Sequence, residues 1–450
     1  MEDKIKDLME KAERPGKIAP QLHKFYGGKI ETIPKCFIKS LNDFDIWYTP
    51  GVASVSRLIA QDRDLSFEYT NRWNTIAVVT DGSRVLGLGD IGPEASLPVM
   101  EGKALLFKYL GGVDAFPLAV KEKDPDRIIS ILEAIQPSIG GVNLEDIEKP
   151  KCFYILEEAR RRLEIPVWHD DQQGTATVIL AGIINALKIV GKKISDVKIV
   201  LFGVGAANTK AAEVLILAGA DPKKMYLVDS KGVIHAGRKD IIEEERNPWK
   251  YKLAELTNPE QIEDVRDAFK DADIVVGASK PGPDTIKKDW IRLMNDDPIV
   301  FATANPIPEI WPWDAKEAGA RIIATGRSDF PNQINNSLGF PGIFRGVLDV
   351  RAKTITDEMC IAAAEEIARF AEERGIHEEY IVPRMDEWEV YPRMAVAAAL
   401  QSIKQGVARQ KPSREELWDR AVKIISRSIN AHRCLLENGY IPGYDEPNTQ

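Results

Sequence analysis

The chain reads as an α/β protein: an N-terminal parallel α/β domain, a Rossmann-type dinucleotide-binding domain and a helical C-terminal extension. Three observations predict this. From about Thr75 short apolar runs alternate with amphipathic stretches, the signature of βα units. A second such series starts at Val197, with a glycine-rich turn after its first strand. After about Val350 the strand signals stop and only helical periodicity continues.

The elements follow in order. Thr75–Thr80 reads as a strand, Glu101–Leu110 as a helix, Asp114–Val120 as a strand and Asp126–Ile135 as a helix. Ile139–Leu144 is the next strand, Pro150–Leu163 a helix and Pro166–Trp168 a short strand. Thr175–Val190 is a long apolar helix that links two domains. Val197–Phe202 opens the second series as a buried strand, followed by the helix Ala206–Ala218 and the strand Met225–Asp229. The runs ADIVVGAS, PIVFATANP and RIIATG supply three more strands. Thr356–Gly375, Pro392–Gln405 and Ser413–Asn438 are amphipathic helices expected to pack on the N-terminal domain or on a partner subunit. The expected domains are therefore 1–172, 173–350 and 351–450.

Composition narrows the function. The 450 residues suffice for two or three cores. Acidic residues outnumber basic ones by 69 to 60, a net charge of −9, which argues against nucleic acid as a partner. A small anionic substrate remains compatible, because a local cleft can be basic on an acidic protein. The N-terminus MEDKIKDLMEKAERPGK has no apolar core of a secretory signal, and no apolar run reaches the ~18 residues of a membrane span. Cys36, Cys152, Cys360 and Cys434 are scattered without a CxxC pair, which suits a reducing, cytoplasmic setting.

The turn Gly203-Val204-Gly205-Ala206-Ala207-Asn208 follows a strand and opens a helix. The first glycine permits a tight turn, the second lets backbone approach a pyrophosphate, and the helix N-terminus supplies N–H groups and a positive dipole end. Asn208 stands where a third glycine is usual. Asp229 ends the next strand at the distance expected of a ribose ligand. Its carboxylate favours NAD, whereas the neighbouring Lys231 could neutralise the 2′-phosphate of NADP.

Two acidic pairs, Glu145-Asp146 and Asp170-Asp171, sit at the ends of expected strands. In a parallel sheet consecutive strand ends meet along one edge, so four carboxylates could converge. Helix N-capping would account for either pair alone. Their recurrence at successive strand ends favours a divalent cation, with oxygen ligands that suit Mg²⁺ or Mn²⁺. His169 adjoins them but is not favoured as a ligand, and the five histidines form no zinc pattern. Lys103 falls in the first turn or so of its expected helix, where the dipole and burial would lower its pKa. Tyr48 is held by Thr49-Pro50-Gly51 at the end of an extended segment. Taken alone, Lys103 reads by default as a surface lysine, and propensity does not separate a functional Tyr48 from a packing residue.

Eight motifs together resemble the malic-enzyme family. They are Tyr48-Thr-Pro-Gly-Val-Ala, the run Thr80-Asp-Gly-Ser-Arg84-Val-Leu-Gly-Leu-Gly-Asp90, Met100-Glu-Gly-Lys103-Ala, Asn143-Leu-Glu145-Asp146 and His169-Asp170-Asp171-Gln-Gln-Gly174. The Gly203 turn, Phe301-Ala-Thr-Ala-Asn305-Pro and Asn335-Asn336-Ser-Leu-Gly-Phe-Pro-Gly complete the set, in the family's order. The length is similar to the short bacterial and archaeal form.

The resemblance implies oxidative decarboxylation of malate to pyruvate and CO₂, with NAD or NADP and Mg²⁺ or Mn²⁺. It implies Lys103 as general base, Tyr48 as general acid, and Asp170 as the carboxylate that holds the lysine. Glu145, Asp146 and Asp171 match the metal ligands, and Asn305 and Asn336 match substrate contacts. Arg84 falls near the arginine that larger members use for the substrate carboxylate, but the segment before Lys103 is one residue longer here. A homodimer or tetramer is implied too. The competing readings are a malolactic-type decarboxylase that retains its cofactor and a nucleotide-sensing regulatory protein.

Overall fold

Two parallel sheets organise the chain in the computed structural model, which describes residues 2–244 and 247–444, with side chains from residue 14. Residues 1 and 445–450, at the outer ends of the expected first and last domains, lie outside the described residues. The first sheet comprises β1 (Thr75–Thr80), β2 (Asp114–Ala119), β3 (Gly141–Leu144) and β4 (Val167–His169). They pair in parallel in the order β2-β1-β3-β4. The second comprises β5 (Ile199–Phe202), β6 (Met225–Asp229), β7 (Gly232–Val233), β8 (Ile274–Gly277), β9 (Ile299–Ala302) and β10 (Ile322–Thr325). Its order is β10-β9-β8-β5-β6-β7, parallel except for the short β7. That is the Rossmann order, with the switch point between β5 and β8. The two-residue β7 has no sequence signal of its own; it is a hairpin return from β6.

The helices used below are α1 (Glu2–Tyr26), α2 (Val52–Gln61), α3 (Pro93–Gly111), α4 (Pro125–Ile135), α5 (Lys151–Arg162), α6 (Thr175–Val190), α7 (Ala206–Leu217), α8 (Pro248–Leu256), α9 (Phe340–Asp349), α10 (Asp357–Glu373), α11 (Val390–Lys404) and α12 (Arg414–Glu437). Helix α3 corrects an expectation. It starts at Pro93, not Glu101, because Pro93 serves as a first-turn proline and Pro98 is tolerated within the helix. Lys103 therefore lies well inside α3, and the helix-dipole argument for it falls away. Tyr48 likewise caps a short helical turn, Asp43–Trp47, and does not end an extended segment.

Helix α6 is the spine between the sheets. With the turn before it, Asp170–Val190 is long and apolar enough to cross a membrane, yet most of it is buried inside the fold. The sequence shows no such stretch when only uninterrupted apolar residues are counted; packing, not lipid, covers it. Asn185 of α6 donates to the carbonyls of Ala368 (2.8 Å) and Ile381 (2.9 Å), tying α10 to the spine. Helix α12 starts on a capping box of Ser413 and Glu416 and packs on α3, where Ser428 Oγ donates to Lys108 O at 2.7 Å. Gly112, at φ 62°, lies so close to Ile424 that a Cβ would meet its Cγ2 at 2.5 Å. The C-terminal helices thus cover the first sheet's α3 as well as α6.

Candidate active site

Register brings the acidic strand ends together. Val79 of β1 pairs with Leu144 of β3, and Leu144 pairs with His169 of β4. The residues that leave β3 and β4, Glu145-Asp146 and Asp170-Asp171, therefore emerge side by side. Carboxylate oxygens of Glu145, Asp146 and Asp171 lie within 4.8 Å of one another. Asp146 holds φ 53° and takes the Leu86 N–H on Oδ1 at 3.4 Å. Asp171 accepts the Asp146 N–H at 2.9 Å.

Lys103 reaches into this cluster from α3. Its Nζ donates to Asp170 Oδ2, stands 3.3 Å from Glu145 Oε1, and lies 4.5 Å from the Phe340 ring centroid. Burial is the largest pressure on its pKa and lowers it, but Asp170 and Glu145 outweigh burial and hold the ammonium above its ordinary value. The expectation that the dipole and burial lower the pKa of this lysine is corrected: its carboxylate neighbours raise it. Burial drives the carboxyls the other way. It raises Glu145 well above its usual range and raises Asp170 and Asp171, with Lys103 opposing in each case. Asp146, buried and facing Asp171, is pushed up to about 7. So much buried negative charge, with one lysine to offset it, suits an oxygen-liganded divalent cation. His169 is fully buried and held neutral, its pKa down to about 3. It stands outside the three-carboxylate group.

Several residues in the site carried no sequence signal of function. Trp168 Nε1 donates to Asp170 Oδ1 at 2.9 Å and so fixes the carboxylate that grips Lys103. Asn143 Nδ2 donates to Glu145 Oε2 at 2.9 Å. Both read as ordinary strand residues, and only β3–β4 pairing reveals where they face. Gly174 allows the close turn, since a Cβ there would meet Asp170 Oδ1 at 2.0 Å and Asn336 Cβ at 3.1 Å. Asn336 is thereby placed beside Asp170. Asn305 follows β9; its carbonyl would lie 3.2 Å from a Cβ on Gly87, so the loop after β9 abuts the Val85–Gly89 turn. Arg84 is exposed at the mouth, its backbone N–H bonded to Asp146 O at 3.0 Å and its charge lowering Asp146 and Asp171. Tyr48 is 72 % exposed, its backbone N–H bonded to Phe44 O at 2.7 Å.

On the other wall, the turn after β5 faces the cluster. Gly203 has φ 104°, and a Cβ there would meet Ala278 O at 2.5 Å. Gly205 is different. Its φ is −99°, and a Cβ would meet nothing nearer than Ala278 O at 3.9 Å. Neither strain nor protein contact demands glycine there, and the open space beside it fits a dinucleotide pyrophosphate. Asn208 explains the missing third glycine. Its Nδ2 donates to Phe202 O (3.2 Å) and Val276 O (3.1 Å), stitching α7 to both strands at the switch point. Val204, Ala206 and Ala207 lie between these anchors, with Ala206 and Ala207 opening α7. Asp229 is present at the end of β6 but already occupied. It is gripped by Arg238 at 2.9 and 3.0 Å, by Lys250 at 2.7 Å and by the Lys231 N–H at 2.8 Å.

A Rossmann sheet whose glycine turn faces a lysine-gripped carboxylate cluster on a second parallel sheet defines a two-sheet oxidoreductase. The family profiles described as "Malic enzyme, NAD binding domain" and "Malic enzyme, N-terminal domain" match residues 172–403 and 27–124. The NAD-dependent malic enzyme of Geobacillus stearothermophilus is 49 % identical over 385 residues, covering 85 % of this chain and 78 % of that protein. The bifunctional malic/malolactic enzyme of Bacillus subtilis is 45 % identical over 407 residues, covering 90 % and 97 %. The crystal structure of the Entamoeba histolytica malic enzyme superposes with a TM-score of 0.94 at 46 % identity, covering 98 % of this chain and 91 % of that one. The chain belongs to the malic enzyme family.

Proposed function

We propose that the protein catalyses the divalent-metal-dependent oxidative decarboxylation of malate to pyruvate and CO₂ with reduction of a nicotinamide dinucleotide. The observation that carries this reading is Lys103, buried between Asp170 and Glu145 and beside the three-carboxylate group. Relatives named as NAD- and NADP-dependent malic enzymes support it.

Glu145, Asp146 and Asp171 would hold the cation and the Gly203–Asn208 turn the pyrophosphate. When bound, the cation supplies Lewis acidity toward the substrate's oxygens and the dinucleotide supplies the hydride acceptor. Lys103 takes the proton from the C2 hydroxyl of malate. Its base form becomes accessible once part of the surrounding carboxylate charge is offset, because burial then lowers its pKa. Asp170, fixed by Trp168, holds the lysine on its line of approach. Asn305, Asn336 and Arg84 orient the substrate carboxylates, and Tyr48 returns a proton to the product carbon.

The cofactor choice rests on Asp229. A free carboxylate there favours NAD, but Arg238 and Lys250 engage both of its oxygens. NAD remains the favoured dinucleotide, with repulsion of a 2′-phosphate weakened by those two cations. The domain division follows the two sheets, with the change-over at the turn between β4 and α6. The free cysteines, two buried and two exposed, suit a cytoplasmic setting.

The deciding experiment is a steady-state assay of malate with each dinucleotide and with Mg²⁺ or Mn²⁺. Free reduced dinucleotide and pyruvate should accumulate together. Lactate without free reduced dinucleotide would make the protein a malolactic-type decarboxylase, and no turnover under any combination would leave a nucleotide-sensing role. Lys103→Ala should cost roughly 10²–10⁴-fold in turnover; near-normal turnover would remove Lys103 from the reaction.

A further inference from the structure

The loop that carries Glu145 and Asp146 continues to Lys149, three residues on, before α5 begins at Lys151. Lys149 crosses to the other sheet: its Nζ donates to the carbonyl of Val204, inside the glycine turn, at 2.5 Å. The residue is open to solvent along the cleft, yet its ammonium meets only that neutral carbonyl. Among the described residues no carboxylate stands within ion-pair distance of it. Crowding around the ammonium lowers its pKa, and the nearby Lys250 lowers it further, with Asp229 and Glu244 opposing. Among the described residues the ammonium has no direct ion-pair partner. The space in front of Gly205, one residue from its acceptor, is open.

We propose that Lys149 is a dinucleotide-binding residue whose ammonium pairs with the pyrophosphate held over the Gly203–Asn208 turn, and that it links the carboxylate loop to the cofactor across the cleft. The inference rests on the dinucleotide reading above. A carbonyl is a weak partner for an ammonium; a phosphate oxygen is a strong one, because both partners are then charged. The lysine need move little to exchange one for the other, since Val204 lines the same turn. Holding the pyrophosphate then also draws the Glu145–Lys149 loop against α7. Lys231 is ion-paired with Asp240, and Arg238 and Lys250 with Asp229, so these cations, unlike Lys149, already have carboxylate partners.

The test is the dissociation constant of NADH and of NADPH, read by fluorescence titration of the full-length protein at several salt concentrations. Lys149→Ala should weaken both dinucleotides roughly tenfold or more and flatten the salt dependence of binding, while Lys149→Arg should restore most of the affinity. Thermal melts of the variants check that the fold is intact. Unchanged affinity in Lys149→Ala overturns the proposal. Loss confined to NADPH also overturns it, since the lysine would then read the 2′-phosphate and not the pyrophosphate. Equal losses in Ala and Arg variants with an unchanged salt slope overturn it as well, leaving only the hydrogen bond to Val204. A wild-type protein that binds neither dinucleotide overturns the dinucleotide reading itself, which separates that failure from this one.

Discussion

Asp146 stands at φ 53°, a left-handed conformation that costs a non-glycine residue of order 1–3 kcal/mol. The twist turns its carboxylate back toward Asp171, where burial and that neighbour push its pKa from 3.8 up to about 7. In the cation-free protein the folded pKa lies above the unfolded one, so the stability that protonation confers is lost as pH rises from near 3.8 to about 7. A divalent cation needs the ionised form and must displace that proton below about 7. The rise in melting temperature produced by Mn²⁺ should therefore be small at about pH 6 and larger at about pH 8. Differential scanning fluorimetry with and without Mn²⁺ across that range checks it. A Mn²⁺ effect of constant size would remove Asp146 from the cation's ligands.

At the scale of elements, the switch point between β5 and β8 is held by a side chain where the usual fingerprint has none. Asn208 is fully buried, and its two hydrogen bonds join α7 to both strands. Asn208→Ala keeps helix propensity and removes only these bonds, so it should destabilise the protein by about 1–2 kcal/mol. Urea unfolding reads this as a lower midpoint at unchanged slope. An unchanged midpoint would mean that the bonds are not what secures the turn. The strands were legible because short runs such as Ile76-Ala-Val-Val79 and Ile274-Val-Val276 are rich in β-branched residues, too short for a helix and bounded by turn residues. Convergence of the carboxylates was legible for a topological reason: parallel order puts consecutive strand ends on one edge. The start of α3 was not, because Pro98 and Gly102 interrupt the helical pattern that burial sustains. The true setting of Lys103 was hidden with it. Trp168 and Asn143 could not be singled out either, since alternation along a strand says which face a residue takes and not what stands across from it.

At the scale of the whole molecule, the segment before β1 leaves a large apolar face uncovered. Phe37 (60 %), Leu41 (82 %), Ile46 (64 %), Trp47 (49 %) and Tyr48 (72 %) are exposed within one segment, where Trp47 Nε1 donates to Phe37 O at 2.8 Å. Isolated apolar side chains on a surface need no explanation, but large apolar patches are where protein surfaces bind partners. We propose a second copy of the chain as its occupant, because a symmetric dimer sets the same patch against itself. Tyr48 belongs to this face, while Lys103 is buried in the cleft. In such a dimer, ordering of this face would be the step that brings Tyr48 to Lys103. Light scattering of the wild-type protein at micromolar concentration should give twice the chain mass. Leu41→Asp combined with Ile46→Asp should give monomers that still bind NADH through the distant glycine turn, with turnover reduced roughly tenfold or more. A monomeric wild type with full turnover would refute the dimer. A monomeric double variant that turns over normally would show that Tyr48 reaches its place within a single chain.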